Sequence, residues 1–165
     1  MGEELPTRKP VRLNGYDYSN AGYYFITICV KDGYELLWDI LPVSSDTVVG
    51  AAFCRPPLSG IGKIVEYEIA ILSRTYEDVT IDQYVVMPNH VHMIVRISDS
   101  GRQNAAPTVP RIIGQWKRTI SMKIGFSLWQ KSYHDRIIRD EAEYQRICQY
   151  IDENPARWEE DEYYD

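Results

Sequence analysis

Along this chain, apolar runs with strand character give way to helical spacing and back, and each change of period marks an element. Residues 23–31 are β-branched and aromatic, which suits a strand. Asp32-Gly33 follows, a dipeptide favoured in tight hairpin turns, so 34–40 is expected to return as its partner. From Ile61 the apolar positions Ile61, Ile64, Val65, Ile69, Leu72 and Tyr76 keep helical spacing, predicting a helix to about Tyr76. Residues 80–86 and 90–97 form a second strand pair, broken at Pro88-Asn89 because proline cannot donate to a ladder and asparagine tolerates turn geometry. Pro110 opens another helix, with Ile112, Ile113, Trp116, Ile120 and Ile124 on one arc. Asp140 with Glu143 has the form of a capping box and starts a last helix, which Pro155 stops after Asn154. Segments 41–59 and 98–110 lack periodicity and read as loops, the first unusually apolar at Val48, Val49, Ala51, Ala52 and Phe53. The order β-β-α-β-β-α-extended-α predicts an α+β fold, a ferredoxin-like sandwich: an antiparallel β-sheet with helices on one face, plus a C-terminal helix.

At 165 residues the chain is expected to be a single domain, 1–165. No window approaches the ~18 apolar residues that cross a bilayer, and the N-terminus has the layout of neither a signal peptide nor a myristoylation site, so no membrane and a cytoplasmic location are expected. Cys29, Cys54 and Cys148 lack CxxC spacing and read as reduced thiols. The net charge of −6 is unpromising for a partner of a polyanion. That average hides a split, because 140–165, with the acidic tail 159–165, carries −8 and the rest +2. Arg111, Lys117, Arg118, Lys123, Lys131, Arg136 and Arg139 make a basic stretch, and Arg8, Lys9 and Arg12 a basic N-terminal arm in 1–12. Charge alone favours a solvated helix face beside a solubilising tail.

The chemistry concentrates at His90 and His92. On a strand of period two, their imidazoles point from the same face, a natural way to hold a divalent metal, although such pairs often only pack or hydrogen-bond. On the last helix Arg146, Tyr150 and Asn154 fall four apart on one face, while Tyr144, Ile147, Cys148 and Ile151 supply the apolar stripe. Taken alone, Tyr150 reads as a part-buried tyrosine and Asn154 as a helix end. Gly60-Ile61-Gly62-Lys63 lacks the spacer and the Ser/Thr of a P-loop, so no nucleotide cofactor is expected.

Four sets of residues resemble the single-tyrosine HUH transposases of the REP-associated kind. They are Gly15-Tyr16-Asp17-Tyr18 leading into 23–29; 84–92, ending His90-Val91-His92; Trp129-Gln130 through Tyr133-His134-Asp135 to Asp140; and Tyr150-Ile151 with Asn154-Pro155. The resemblance runs in order from about residue 12 to Trp158. It implies that His90, His92 and Asn154 are metal ligands and Tyr150 is the nucleophile. It further implies Mg²⁺ or Mn²⁺ as the cofactor, a 5′-phosphotyrosine link with a free 3′-hydroxyl, and single-stranded or hairpin DNA of the REP kind as substrate. A monomer with the tyrosine in cis is favoured, with a dimer carrying it in trans as the alternative. Arg8, Lys9, Arg12, Arg111, Lys117, Arg118, Lys131, His134, Arg136 and Arg139 are the expected DNA-binding residues, with Trp129 and Tyr133 available for stacking. The chain departs from the pattern at Arg136, where relatives often carry a second histidine, and in its acidic end, which would repel DNA near the cleft. Two rival readings are a hairpin-binding descendant that no longer cuts, and a zinc hydrolase using His90, His92 and His134.

Overall fold

The computed structural model describes residues 15–39, 57–99 and 107–163. Arg8, Lys9, Arg12 and the apolar part of loop 41–59 lie outside the described residues. Strand β1 (Gly22–Cys29) leads to helix α1 (Gly60–Thr75), then strands β2 (Val79–Val86) and β3 (His90–Ile97). Helix α2 (Val109–Ile124), strand β4 (His134–Ile138) and helix α3 (Glu141–Glu153) complete the order, and the 3-10 segment Asn154–Glu160 follows. The sheet is antiparallel throughout, in the order β2-β3-β1-β4. That is the ferredoxin-like arrangement expected for an α+β chain of this pattern.

Two parts of the sequence reading are corrected. Of the expected partner strand 34–40, the described residues 34–39 do not pair back onto β1. Instead Lys31–Gly33 makes a 3-10 turn with Asp32 at φ 59° and Gly33 at φ 72°, which carries the chain past the sheet edge. There Leu37 N–H donates to Pro88 O at 2.9 Å. The partner that β1 takes on that side is β4, drawn from the segment expected only to be extended. Pro155 does end α3, yet the chain keeps turning as a 3-10 helix, since proline is tolerated in a first turn. This continuation returns the tail to the sheet.

Strand alternation divides the sheet into two faces. Tyr24, Ile26 and Ile28 of β1 stand opposite Val95, Met93 and Val91 of β3, all fully buried. They form the core under Val65, Ile69 and Leu72 of α1 and Ile112, Ile113, Trp116 and Ile120 of α2. Gly62 lets α1 approach: a Cβ there would lie 2.0 Å from Leu37 O, so no larger residue fits without moving the backbone. The other face carries α3. Adjacent residues of β2 show the division, since the Tyr84 hydroxyl reaches Glu66 of α1 at 3.4 Å while Gln83 Nε2 donates to Asp152 of α3 at 2.6 Å. Asp140 caps α3 as expected, accepting from Glu143 N–H at 2.8 Å. The Glu143 carboxylate reaches back to Arg139 N–H at 2.9 Å instead of to the cap residue.

Candidate active site

The two histidines sit where β3 leaves the turn Pro88-Asn89, closed by Met87 N–H donating to His90 O at 2.8 Å. Both are essentially inaccessible to solvent, and both project from the α3 face, His90 opposite Cys29 and His92 opposite Thr27. Their Nε2 atoms are 3.0 Å apart. Asn89 orients the first ring. Its Nδ2 donates to Tyr163 O at 2.7 Å and Gly33 O at 3.3 Å, which leaves Oδ1 to accept from His90 Nδ1 at 2.9 Å. The free lone pair of His90 is therefore on Nε2, the tautomer a metal ligand needs. Thr27 Oγ1 lies 2.8 Å from His92 Nδ1 and, as donor or acceptor, accommodates either tautomer of that ring. Burial pushes His90 down to about 3 and His92 well below the ordinary imidazole value, so both are neutral at physiological pH.

Helix α3 brings Tyr150 over this pair. Its hydroxyl is 3.2 Å from His92 Nε2 and 3.4 Å from Asp161 Oδ2, and its ring is partly exposed. Phe25 fills the floor, stacked on His92 at 5.2 Å and edge-on to Tyr150 at 6.2 Å. One turn on, Asn154 is buried, with Nδ2 donating to Asp161 Oδ2 at 2.7 Å. Burial, then the charges of Asp161 and Glu162, push the Tyr150 phenol up to about 12, opposed by a hydrogen bond from Asn154. Without added positive charge it stays protonated.

The donors fit a divalent cation. His90, His92 and Asp161 each offer a ligand atom within 4.8 Å of the others. Asn154 Oδ1 is buried with no hydrogen-bond partner among the described residues, an orphan carbonyl oxygen of the kind that oxygen-seeking cations take. Sequence reasoning brought His90, His92, Tyr150 and Asn154 together, and the structure does so too. It missed Thr27, Asn89 and Asp161. Thr27 was legible in principle from β1 alternation, whereas Asp161 lay in an acidic tail with no pattern to single it out.

The expected DNA-binding residues scatter. His134 and Arg136 are exposed on β4, opposite Thr27 and Phe25 and thus on the histidine face, with Arg136 held to Glu143 at 2.6 Å. His134 is one strand further from the pair than Thr27, and the metal-ligating group that His90 and His92 form among the described histidines, cysteines and carboxylates is completed by Asp161. Arg139 lines a cavity of about 290 Å³ with Tyr23, Ile138 and Tyr144. Lys131 is exposed in the loop before β4. Arg111 and Arg118 are exposed on α2, behind the sheet from the histidines. Lys117 is corrected: its ammonium donates to Gln130, Lys131 and Ser132 carbonyls at 2.6, 3.3 and 3.1 Å, so it pins that loop. Trp129 and Tyr133 are also corrected, being buried, with Trp129 against Trp116 at 5.1 Å, so their rings are closed to stacking bases.

The antiparallel 2-3-1-4 sheet, with α1 and α2 on one face and α3 on the other, is a fold found among solved structures. A solved REP-associated tyrosine transposase, captured with a REP hairpin, has this fold: it superposes with a TM-score of 0.64 at 17% identity, over 89% of this chain and 73% of that one. In sequence, the chain is 30% identical to an uncharacterized protein of Haemophilus influenzae Rd over 95% of its own length and 93% of the relative's, and belongs to the same family. No protein-family model matches the sequence. No helix among the described residues is long and apolar enough to cross a membrane.

Proposed function

We propose that this protein is a metal-dependent transposase that nicks and rejoins single-stranded, hairpin-forming DNA through Tyr150. The observation that carries the reading is the Tyr150 hydroxyl 3.2 Å from His92 Nε2, itself 3.0 Å from His90 Nε2. In-line attack of the Tyr150 oxygen on a phosphodiester forms a P–O(Tyr) bond and breaks the bond to the 3′-oxygen, which takes up a proton and leaves as a 3′-hydroxyl. Attack by a 3′-hydroxyl on the phosphotyrosine reverses the step with no other energy source, since one phosphodiester replaces another.

His90, His92 and Asn154 would hold the cation, with Asn89 and Thr27 fixing the ring orientations. When bound, Mg²⁺ or Mn²⁺ supplies positive charge against the phosphate and favours ionisation of the neighbouring phenol. Phe25 excludes water from one side of the nucleophile. Nucleophile and histidines belong to one chain, which favours action in cis by a monomer. Arg139 and the exposed Arg136 and His134 of β4 are placed to meet a strand entering on the site face, and a cytoplasmic location follows from such a substrate.

Labelled hairpin oligonucleotides incubated with the protein and Mn²⁺ or Mg²⁺, then run on a denaturing gel, test the reading. A slow-migrating adduct in wild type, absent with Tyr150→Phe and His90→Ala, is expected. Tight, salt-sensitive hairpin binding with no adduct would replace it with a binding descendant of a transposase.

A further inference from the structure

Asp161 has a structural role that the proposed reaction does not account for. Its carboxylate is held from three sides: Oδ2 accepts from Asn154 Nδ2 at 2.7 Å and from the Tyr150 hydroxyl at 3.4 Å, and Oδ1 accepts from Tyr163 N–H at 2.8 Å. The segment is tied to the histidine strand as well. The Tyr163 ring lies 4.6 Å from that of His90, and its carbonyl accepts from Asn89 Nδ2 at 2.7 Å. Among the described residues no lysine or arginine pairs with Asp161. A carboxylate fixed against two neutral imidazoles, with no cationic side chain, lacks a counter-charge. Beside it, the buried Asn154 Oδ1 lacks a partner.

Two imidazole nitrogens and an amide oxygen bring no charge to a divalent cation, and hard ions favour carboxylate oxygens. Asp161 brings that charge. A phosphodiester oxygen has the same charge and the same hard donor character, and in the proposed reaction it must approach the same cation and the same tyrosine. We propose that Asp161 is a carboxylate ligand of the divalent cation in the DNA-free protein, standing where a phosphate oxygen of the substrate comes, and that the segment from Asp161 to Tyr163 gives way when a single strand enters. The inference rests on the proposed function for its substrate, but not for its ligand.

The test uses the full chain. Mn²⁺ is titrated calorimetrically into wild type, Asp161→Asn and the equal-charge control Glu160→Gln. A hairpin oligonucleotide is then titrated into the Mn²⁺-loaded proteins in a Tyr150→Phe background, so that no covalent product forms. Asp161→Asn is expected to weaken Mn²⁺ binding about tenfold or more and to tighten DNA binding severalfold, with Glu160→Gln moving neither. Tyr163→Ala keeps the carboxylate but frees the segment, and is expected to shift DNA affinity the same way by a smaller factor; it serves if Asp161→Asn fails to fold. Unchanged Mn²⁺ affinity in Asp161→Asn overturns the ligand assignment, and weaker DNA binding in either variant overturns the displacement. If wild type loses Mn²⁺ affinity with Asp161 yet binds no DNA and forms no adduct, the proposed function fails while the ligand assignment stands.

Discussion

The two faces of one sheet are built from the same strands and do opposite work. On β3, Val91, Met93, Val95 and Ile97 face α1 and α2, whereas His90, His92, Ile94 and Arg96 face α3. The first set buries apolar surface with no polar atom to satisfy. The second buries two imidazoles, and each needs a named partner: Asn89 for His90 and Thr27 for His92. A single strand can therefore stabilise and react at once, because a period of two keeps the two demands on different residues. Loss of either face should leave the other nearly intact.

The largest expected effect breaks the reactive face alone. Tyr150→Phe removes the nucleophilic oxygen and should abolish the covalent DNA adduct, on the order of 10³-fold or more. The Tyr150 hydroxyl lies at long hydrogen-bond distances from His92 and Asp161, 3.2 and 3.4 Å, on a partly exposed ring, so the denaturation midpoint should stay close to wild type. A variant that also unfolds would show that the tyrosine is structural.

The converse substitution is Met93→Ala. Met93 is fully buried between the helices and β1, so truncation should cost about 2–5 kcal/mol in chemical denaturation. Adduct yield per folded molecule should be unchanged, since His92 and His90 point the other way. A fall in yield per folded molecule would mean that the two faces are coupled through the strand.

Acid reads the cost of burying the histidines. His90 is held down to about 3 and His92 well below 6.5, so between those values the unfolded chain binds protons that the folded chain refuses. Stability of the metal-free protein should then rise with pH across that window and be lost as pH falls through it. The slope is at most about 1.4 kcal/mol per pH unit for each histidine. Urea denaturation at pH 7, 6 and 5 in a chelator measures it. A His90→Gln, His92→Gln double variant should flatten the slope, and an unchanged slope would place its origin elsewhere.

Legibility divides along the same line. Helices α1, α2 and α3, and the β2-β3 pair, were readable because each has a strong local period or a cap, such as Asp140 with Glu143 before α3. Two short spacings put His90 with His92, and Tyr150 with Asn154, on one face each, while the roles given to them came from the family resemblance and not from the spacing. The false hairpin at 34–40 came from trusting Asp32-Gly33 to close onto β1, when those residues instead make a 3-10 turn leading away. Strand β4 was hidden because it is five residues long and polar on one side, HDRII, and earns its place only by pairing with β1. Asp161 was hidden by averaging: among the acids of the tail its role depends on a 3-10 segment returning it to β3, and no local pattern encodes that return.

The smallest expected effect concerns charge on the far side. Arg111 and Arg118 are exposed on α2, with the whole core between them and the histidines. A phosphate contact there can hold a hairpin but cannot reach the reacting bond. Arg118→Ala should therefore weaken hairpin binding equally for all sequences and lower the salt slope by about 1. The adduct rate at saturating DNA should stay at the wild-type value. Arg139→Ala, beside the cavity on the reactive face, should by contrast change which strand sequences are cut. If Arg118→Ala instead slows the reaction at saturation, the DNA must wrap the edge of the sheet and bring the far face into the chemistry; if it leaves the salt slope unmoved, the basic face of α2 is only a solvated helix surface.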